Sequence, residues 1–224
     1  MKQTTILFDI NETVLNLSVL RPKFKSFFGD ECFTDTWFSM LLHASTVSMI
    51  TDVKTDFASL SKIMLEALAA RNGVLISSAE IADILGGFSS LPAHSDIKTA
   101  LSRLRAEGFR VVAFSNSSRN LITNQIHNAG LDEYFDEVIS VEEAGTFKPS
   151  PMAYQFASTK LGQPKDKLRL VATHDWDTHG AMSAGLEAAY INRSGAPYNP
   201  LFKKPGIYGS TMNEIVDQII ATDT

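Results

Sequence analysis

The stretch Thr4–Leu15, TTILFDINETVL, decides the reading of the whole chain. Thr4 to Phe8 is short, β-branched and apolar, and it stops abruptly at the carboxylate of Asp9. A continuous apolar run of this length predicts a strand buried on both faces, as in a parallel sheet. An acid at the carboxyl end of such a strand stands where open α/β sheets hold their ligands. Asp also favours turns, so Asp9 by itself settles nothing, and the residues that join it later in the chain must decide.

Outward from this stretch the grammar splits in two. Residues 17–90 read as helical without a strand pattern. Leu17–Gly29 mixes apolar and basic residues at helical spacing, and Thr34–Met49 is apolar over much of its circumference, with Trp37, Phe38, Met40, Leu41 and Leu42. Asp56–Gly73 carries one stripe (Phe57, Leu60, Ile63, Met64, Leu68) and stops at a glycine. Ser77–Phe88 opens with a Ser–Glu capping signature at Ser77 or Ser78 ahead of Glu80. From Leu91 onward strands and helices alternate. Helices are expected over 95–107, 121–128, 151–162 and 211–220, and strands over 110–118, 137–141, 168–177 and 187–192, the second and fourth of these five strands running into polar loops. Residues 193–210, with their prolines and glycines, read as a loop. Alternation of this kind implies right-handed crossovers and a parallel sheet covered on both faces. The expected class is α/β, a doubly wound, Rossmann-like core of residues 1–16 and 91–224 interrupted by a helical cap of residues 17–90.

Composition narrows the functions. The chain has 224 residues, 44% hydrophobic and 20% charged, as in ordinary soluble globular proteins. A net charge of -5 supplies no basic footprint for nucleic acid and no polybasic membrane patch. No apolar stretch approaches the roughly 20 residues that span a bilayer, and the N-terminus has no secretory signal pattern, because Asp9 interrupts the run. The single cysteine, Cys32, excludes an intrachain disulfide framework, suits a reducing compartment and reads as a small core hydrophobe. A cytoplasmic location is expected.

Four polar groups fall at or just after carboxyl ends of expected strands: Asp9 with Asn11, Glu12 and Thr13; Ser115 with Asn116; Lys148; and Thr173-His174-Asp175-Trp176-Asp177. Each alone is ordinary turn chemistry. Four on one edge of one sheet describe a pocket.

These segments, FDINETV, FSNSS, FKPSPMAY and ATHDWD, resemble in order the motifs of the haloacid dehalogenase superfamily, and most closely the L-2-haloacid dehalogenases. The resemblance covers the whole chain, including the helical insertion. It implies that Asp9 displaces halide from the α-carbon of a short L-2-haloalkanoic acid, forming an ester that water hydrolyses to a D-2-hydroxy acid. It implies that Lys148 keeps Asp9 ionised, that Asp177 holds Lys148 and helps place water, and that Thr13 and Ser115 orient a carboxylate. Asn116 is then expected near the substrate and departing halide, and Tyr154 matches a tyrosine of the family's site. Trp37 aligns with a tryptophan of the first cap helix. Phosphatases of the superfamily carry a second Asp two residues after the nucleophile. Here that position is Asn11, which has no proton to give a leaving phosphate ester.

The same resemblance exposes departures. The commonest dehalogenase pattern has Tyr and Gly where this chain has Asn11 and Glu12, and Asn where it has His174. It also has a halide-capturing Arg where the alignment puts Phe38. Glu12 and His174 together form an acid–base pair, so Glu12 is expected to orient His174 and His174 to activate the hydrolytic water. The remaining histidines, His43, His94, His127 and His179, are expected to be surface or packing residues. No metal and no cofactor are expected; Lys148 would stand as a fixed cation in the metal's stead. Two alternatives stay open: a Mg²⁺-dependent phosphatase using Asp9, Asp175 and Asp177, and a catalytically idle member that binds an acidic metabolite. A homodimer is expected, formed through exposed apolar faces of the cap.

Overall fold

The computed structural model describes residues 4–223, so the first three residues of the expected core, and Thr224, lie outside it. Strand β1 (Thr5–Phe8) is the hinge of the design: Ile6, Leu7 and Phe8 are fully buried. It pairs in parallel with β2 (Arg110–Ser115) on one side and β4 (Leu168–Ala172) on the other, with Phe8 level with Ala113 and Val171. Strands β3 (Glu137–Ser140), β5 (Glu187–Ile191) and β6 (Ile207–Gly209) complete a six-stranded sheet ordered β3-β2-β1-β4-β5-β6, every pairing parallel. The order reverses between β1 and β4. At such a switch point the connections leave in opposite directions and open a crevice at the strand ends. The chain continues the register past β1 with Asp9 N–H donating to Val171 O at 3.0 Å, which fixes Asp9 at the floor of that crevice.

Four helices are inserted directly after β1: α1 (Arg21–Phe28), α2 (Phe33–Ile50), α3 (Phe57–Arg71) and α4 (Ser78–Ser89). Their starts follow local chemistry. Asp56 caps α3 by accepting from Ser59 N–H, and Ser77 and Glu80 close a reciprocal capping box on α4. Their own apolar centre is aromatic: the Trp37 ring lies 5.5 Å from Phe24 and 5.6 Å, edge-on, from Phe88. Five further helices among the described residues cover the sheet: α5 (Ile97–Ala106), α6 (Arg119–Asn128), α7 (Pro151–Leu161), α8 (Asp175–Ala184) and α9 (Met212–Asp223). None of the described helices is long and apolar enough to cross a membrane.

Three expectations need correction. Residues 193–210 are not all loop, because Ile207–Gly209 pairs with Ala189–Ile191 as the edge strand β6. The fourth expected strand ends at Ala172, and Asp175 and Asp177 open α8 instead of extending a polar loop. Acids in a first helical turn meet the exposed N–H groups there, which favours the earlier start. Cys32 is exposed, not core, since its N–H is drawn into a turn by the Asp30 carboxylate.

Candidate active site

The centre of the site is a buried cation held between two carboxylates. Lys148, 1% exposed, reaches Asp9 Oδ1 at 2.9 Å, Asp177 Oδ2 at 2.6 Å and Phe114 O at 3.2 Å. An ammonium has no donor left after three such bonds. Thr13 donates to Asp9 Oδ2 at 2.7 Å and in turn accepts from Thr173 N–H at 2.9 Å. Tyr154 donates to Asp177 Oδ1 at 2.7 Å. That last bond depends on Gly180, where an added Cβ would lie 2.7 Å from the Tyr154 hydroxyl and 2.6 Å from Pro149 Cβ.

Burial alone would raise the Asp9 carboxyl, but the Lys148 charge, His174 and the Thr13 hydroxyl outweigh it and hold Asp9 well below the usual carboxylate range. Burial likewise works against the Lys148 charge, and the Asp177 and Asp9 carboxylates overcome it, so Lys148 titrates above its ordinary value. Asp177 is raised, chiefly by burial, with Asp9's charge adding to the push that Lys148 opposes. Tyr154 is raised strongly by burial and by Asp177, and stays a hydrogen-bond donor.

On the other flank of Asp9 stands His174. Its Nδ1 lies 3.3 Å from Asp9 Oδ2, without a well-aligned hydrogen bond, and its Nε2 lies 2.8 Å from Glu12 Oε2. The ring stacks on Trp176 at 5.1 Å and faces Phe38 at 6.2 Å. Burial pushes the imidazole down, but the Asp9 and Glu12 carboxylates beside its two nitrogens overcome that and lift it to about 10. The raised value favours the imidazolium form in the free protein. An imidazolium must first give up its proton before the ring can act as a base. Glu12 makes its contact from a left-handed backbone, φ 65°, a region that costs a side-chain-bearing residue energy.

The remaining expected residues divide by where their polar atoms go. Asn11 is buried with its amide engaged at both ends, donating to Ser117 Oγ and accepting from Gln125 Nε2. Ser115 Oγ accepts from Ser117 N–H, and Asn116 Oδ1 accepts from Lys148 N–H at 2.8 Å. Trp37 is fully buried and donates to Ser61 O inside the helical insertion, away from the crevice. Phe38, its neighbour, does reach the crevice, where a cavity of about 430 Å³ lies over Glu12, His174 and Trp176 and is rimmed by Arg21 and Arg193.

Sequence reading missed the residues that hold the turn after Asp9. His94, expected to be a surface or packing residue, meets Glu12 O through Nε2 at 3.0 Å. Since a carbonyl only accepts, that nitrogen carries the proton. Arg193 donates to Thr13 O at 3.2 Å while gripping both oxygens of Asp96. Neither contact has a local signature, because both partners are backbone carbonyls distant in the chain. Of the other histidines, His127 is exposed beside Asp132 and His179 stacks on Phe202.

The donor set does not fit a divalent ion. Lys148 Nζ already stands between the Asp9 and Asp177 oxygens, where a metal would meet an ammonium. Asp175 turns its Oδ2 to Asn199 N–H at 3.2 Å.

A buried carboxylate at the first strand's end, a lysine paired with it and a closing acid on α8 are now joined by the family comparison: a sequence model described as a haloacid dehalogenase-like hydrolase matches residues 3–171. The chain belongs to the haloacid dehalogenase-like hydrolases. Among curated members, it is 32% identical to haloacetate dehalogenase H-2 of Moraxella sp. over 55% of this chain and 55% of that enzyme. That match spans about half of the relative's length. It is 25% identical to (S)-2-haloacid dehalogenase H-109 of Pseudomonas putida over 96% of this chain and 97% of that enzyme. Among solved structures, L-2-haloacid dehalogenase from Xanthobacter autotrophicus with chloropropionic acid covalently bound superposes with a TM-score of 0.90 at 20% identity, covering 99% of both chains. That likeness is one of fold.

Proposed function

We propose that this hydrolase removes halide from short L-2-haloalkanoic acids by way of an ester on Asp9. The observation that carries the reading is an ionised, buried Asp9 held by Lys148, with no proton donor two residues on, where the Asn11 amide is tied to Ser117 and Gln125. Halide leaves without protonation, whereas a phosphate ester's oxygen does not. Asp9 attacks the α-carbon and forms a C–O bond as the carbon–halogen bond breaks and halide departs with the electron pair. Water then adds to the Asp9 carboxyl carbon. The acyl C–O bond breaks and the product keeps the ester oxygen, so the α-carbon inverts once, from L-haloacid to D-hydroxy acid.

Forming the ester removes the Asp9 charge, and with it the strongest reason for His174 to stay protonated. The imidazolium releases its proton toward Glu12 and solvent, and neutral His174 then takes a proton from the attacking water. Glu12 orients it. Asp177 serves by holding Lys148, Thr13 orients Asp9, and Asn116 acts through the Lys148 backbone. Ser115 shapes the neighbouring loop, Tyr154 restrains Asp177, Trp37 backs Phe38, and Phe38 forms an apolar wall. The core of residues 1–16 and 91–224 and the cap of residues 17–90 work as separate units across the cavity. The enzyme works without metal or cofactor in the cytoplasm. It forms a homodimer; Val47, Ile50 and Val53, exposed on and after α2, support this.

Halide release from L- and D-2-bromopropionate in EDTA tests the reaction. Release from the L form alone is expected. Phosphate ester hydrolysis that requires Mg²⁺, with no halide released, would replace this reading. With His174→Asn, intact-mass spectra should show the Asp9 ester accumulating.

A further inference from the structure

The cavity above His174 carries a cation that the chemistry of Asp9 does not use. Arg21, the first residue of α1, lines it together with Phe38, Glu12 and His174. One arm of its guanidinium donates to Asp35 Oδ2 at 3.0 Å, with side-chain exposures of 42% and 58% for the two residues. Its Nε, in contrast, is buried and has no hydrogen-bond partner. A buried N–H without an acceptor is a cost that native structures seldom carry unless something else supplies the acceptor. Arg193 lines the same cavity, but its two terminal nitrogens are spent on both Asp96 oxygens and on Thr13 O. Arg193 Nε is buried without a partner as well, so what sets Arg21 apart is a terminal nitrogen that Asp35 does not take up, whereas both of Arg193's are engaged.

The rest of the wall decides what such a donor would meet. Glu12 and Asp35 repel anions, His174 neutralises part of that charge, and Phe38, Leu17 and Leu42 are apolar. A small organic acid suits this surface: an apolar body against Phe38 and one carboxylate on the planar fork of Arg21, the geometry that guanidinium groups favour. We propose that Arg21 captures the carboxylate of the incoming acid at the mouth of the site, with Asp35 holding the guanidinium ready. The inference rests on the reading of Asp9 as the nucleophile for a haloacid, and it names the residue that recognises the acid's charge.

Propionate, which has no halogen to lose, separates recognition from reaction. Calorimetric titration of the whole protein with propionate should give a Kd that rises about tenfold or more in Arg21→Gln, the size of one lost charge-assisted hydrogen bond. Arg21→Lys, which keeps the charge without the fork, should fall between. With L-2-bromopropionate the same variants should raise KM while kcat stays within about twofold. A propionate Kd unchanged by Arg21→Gln, or no propionate binding by the wild type, would overturn the proposal and leave Arg21 as a surface ion pair that only ties α1 to α2. Propionate binding that depends on Arg21 in a protein that releases no halide would instead sink the dehalogenase reading and keep the acid-binding site.

Discussion

Glu12 and His174, 162 residues apart in the chain, meet at 2.8 Å beside Asp9, and Glu12 does so from a left-handed backbone. The L-2-haloacid dehalogenase pattern that this chain resembles has glycine there, the residue that adopts such a conformation without a Cβ penalty. This chain keeps the turn and accepts the strain. A strained side chain persists where its contact is worth more than the relaxation it forgoes. The contact it secures is the second anchor of a histidine whose other nitrogen already faces Asp9.

Substitution at Glu12 therefore separates strain from chemistry. Glu12→Gly and Glu12→Ala both lose the carboxylate, but only glycine relieves the backbone. Glycine should be the more stable of the two by about 1 kcal/mol, roughly 2–4 °C in Tm for a chain of this size. Both should slow ester hydrolysis by about a hundredfold, the usual contribution of an acid–base group, and both should accumulate the Asp9 ester. Turnover at the wild-type rate in either variant would show that Glu12 is only a turn residue.

The charge on His174 makes a statement about stability. Its value in the fold, about 10, lies above the ordinary 6.5. A raised value contributes stability that is complete below about pH 6.5 and is lost as pH climbs through about 10. His174 is mostly buried, so the contribution is on the order of a few kcal/mol. The unfolding free-energy gap between wild type and His174→Asn should accordingly be widest near pH 6 and narrow steadily toward pH 10. A gap that stays constant over that range would mean that His174 is neutral in the free protein.

How far these features could be read from residues alone depends on the range over which their causes act. β1 and its terminal Asp9 were legible because a short apolar run ended by an acid is a local pattern. The capping box at Ser77 and Glu80 was legible for the same reason. Asp175 and Asp177 were misplaced because a strand-to-helix turn at His174 leaves no spacing signal, and β6 is too short, at three residues, to show a period. Trp37 and Phe38 show a further limit. A stripe of apolar residues tells that a helix is buried, but not that Trp37 turns inward to Ser61 while its neighbour faces the cavity. His94 and Arg193 bind carbonyls 82 and 180 residues away, and no side-chain pairing rule points to a backbone oxygen.

Lys148 is expected to be as important for folding as for reaction. Replacing it with Met leaves Asp9 and Asp177 buried side by side without a cation. Breaking a buried pair in this way costs about 3–5 kcal/mol, which guanidinium unfolding at pH 7 would measure. The two carboxylates would then titrate above their unfolded values, so protonation stabilises the folded variant preferentially. The deficit relative to wild type should shrink as pH falls from 7 toward the ordinary carboxylate value of 3.8. Equal stability at pH 7 would contradict the burial of the triad.

His94 tests whether the turn must be held for the chemistry to proceed. Burial, and then the nearby Arg193 charge, push its imidazole below the ordinary value, so it stays neutral at physiological pH and donates from Nε2 to Glu12 O. His94→Ala removes that donor and frees the strained turn to relax, which should lower Tm by a few degrees, the worth of about one buried hydrogen bond. It should also draw Glu12 off His174, so that a larger steady-state fraction of the protein carries the Asp9 ester in intact-mass spectra. His94→Gln keeps an N–H donor and should restore most of the wild-type partition. A lower Tm with an unchanged ester fraction in His94→Ala would assign His94 to the fold alone and leave Glu12 held by its own contact with His174.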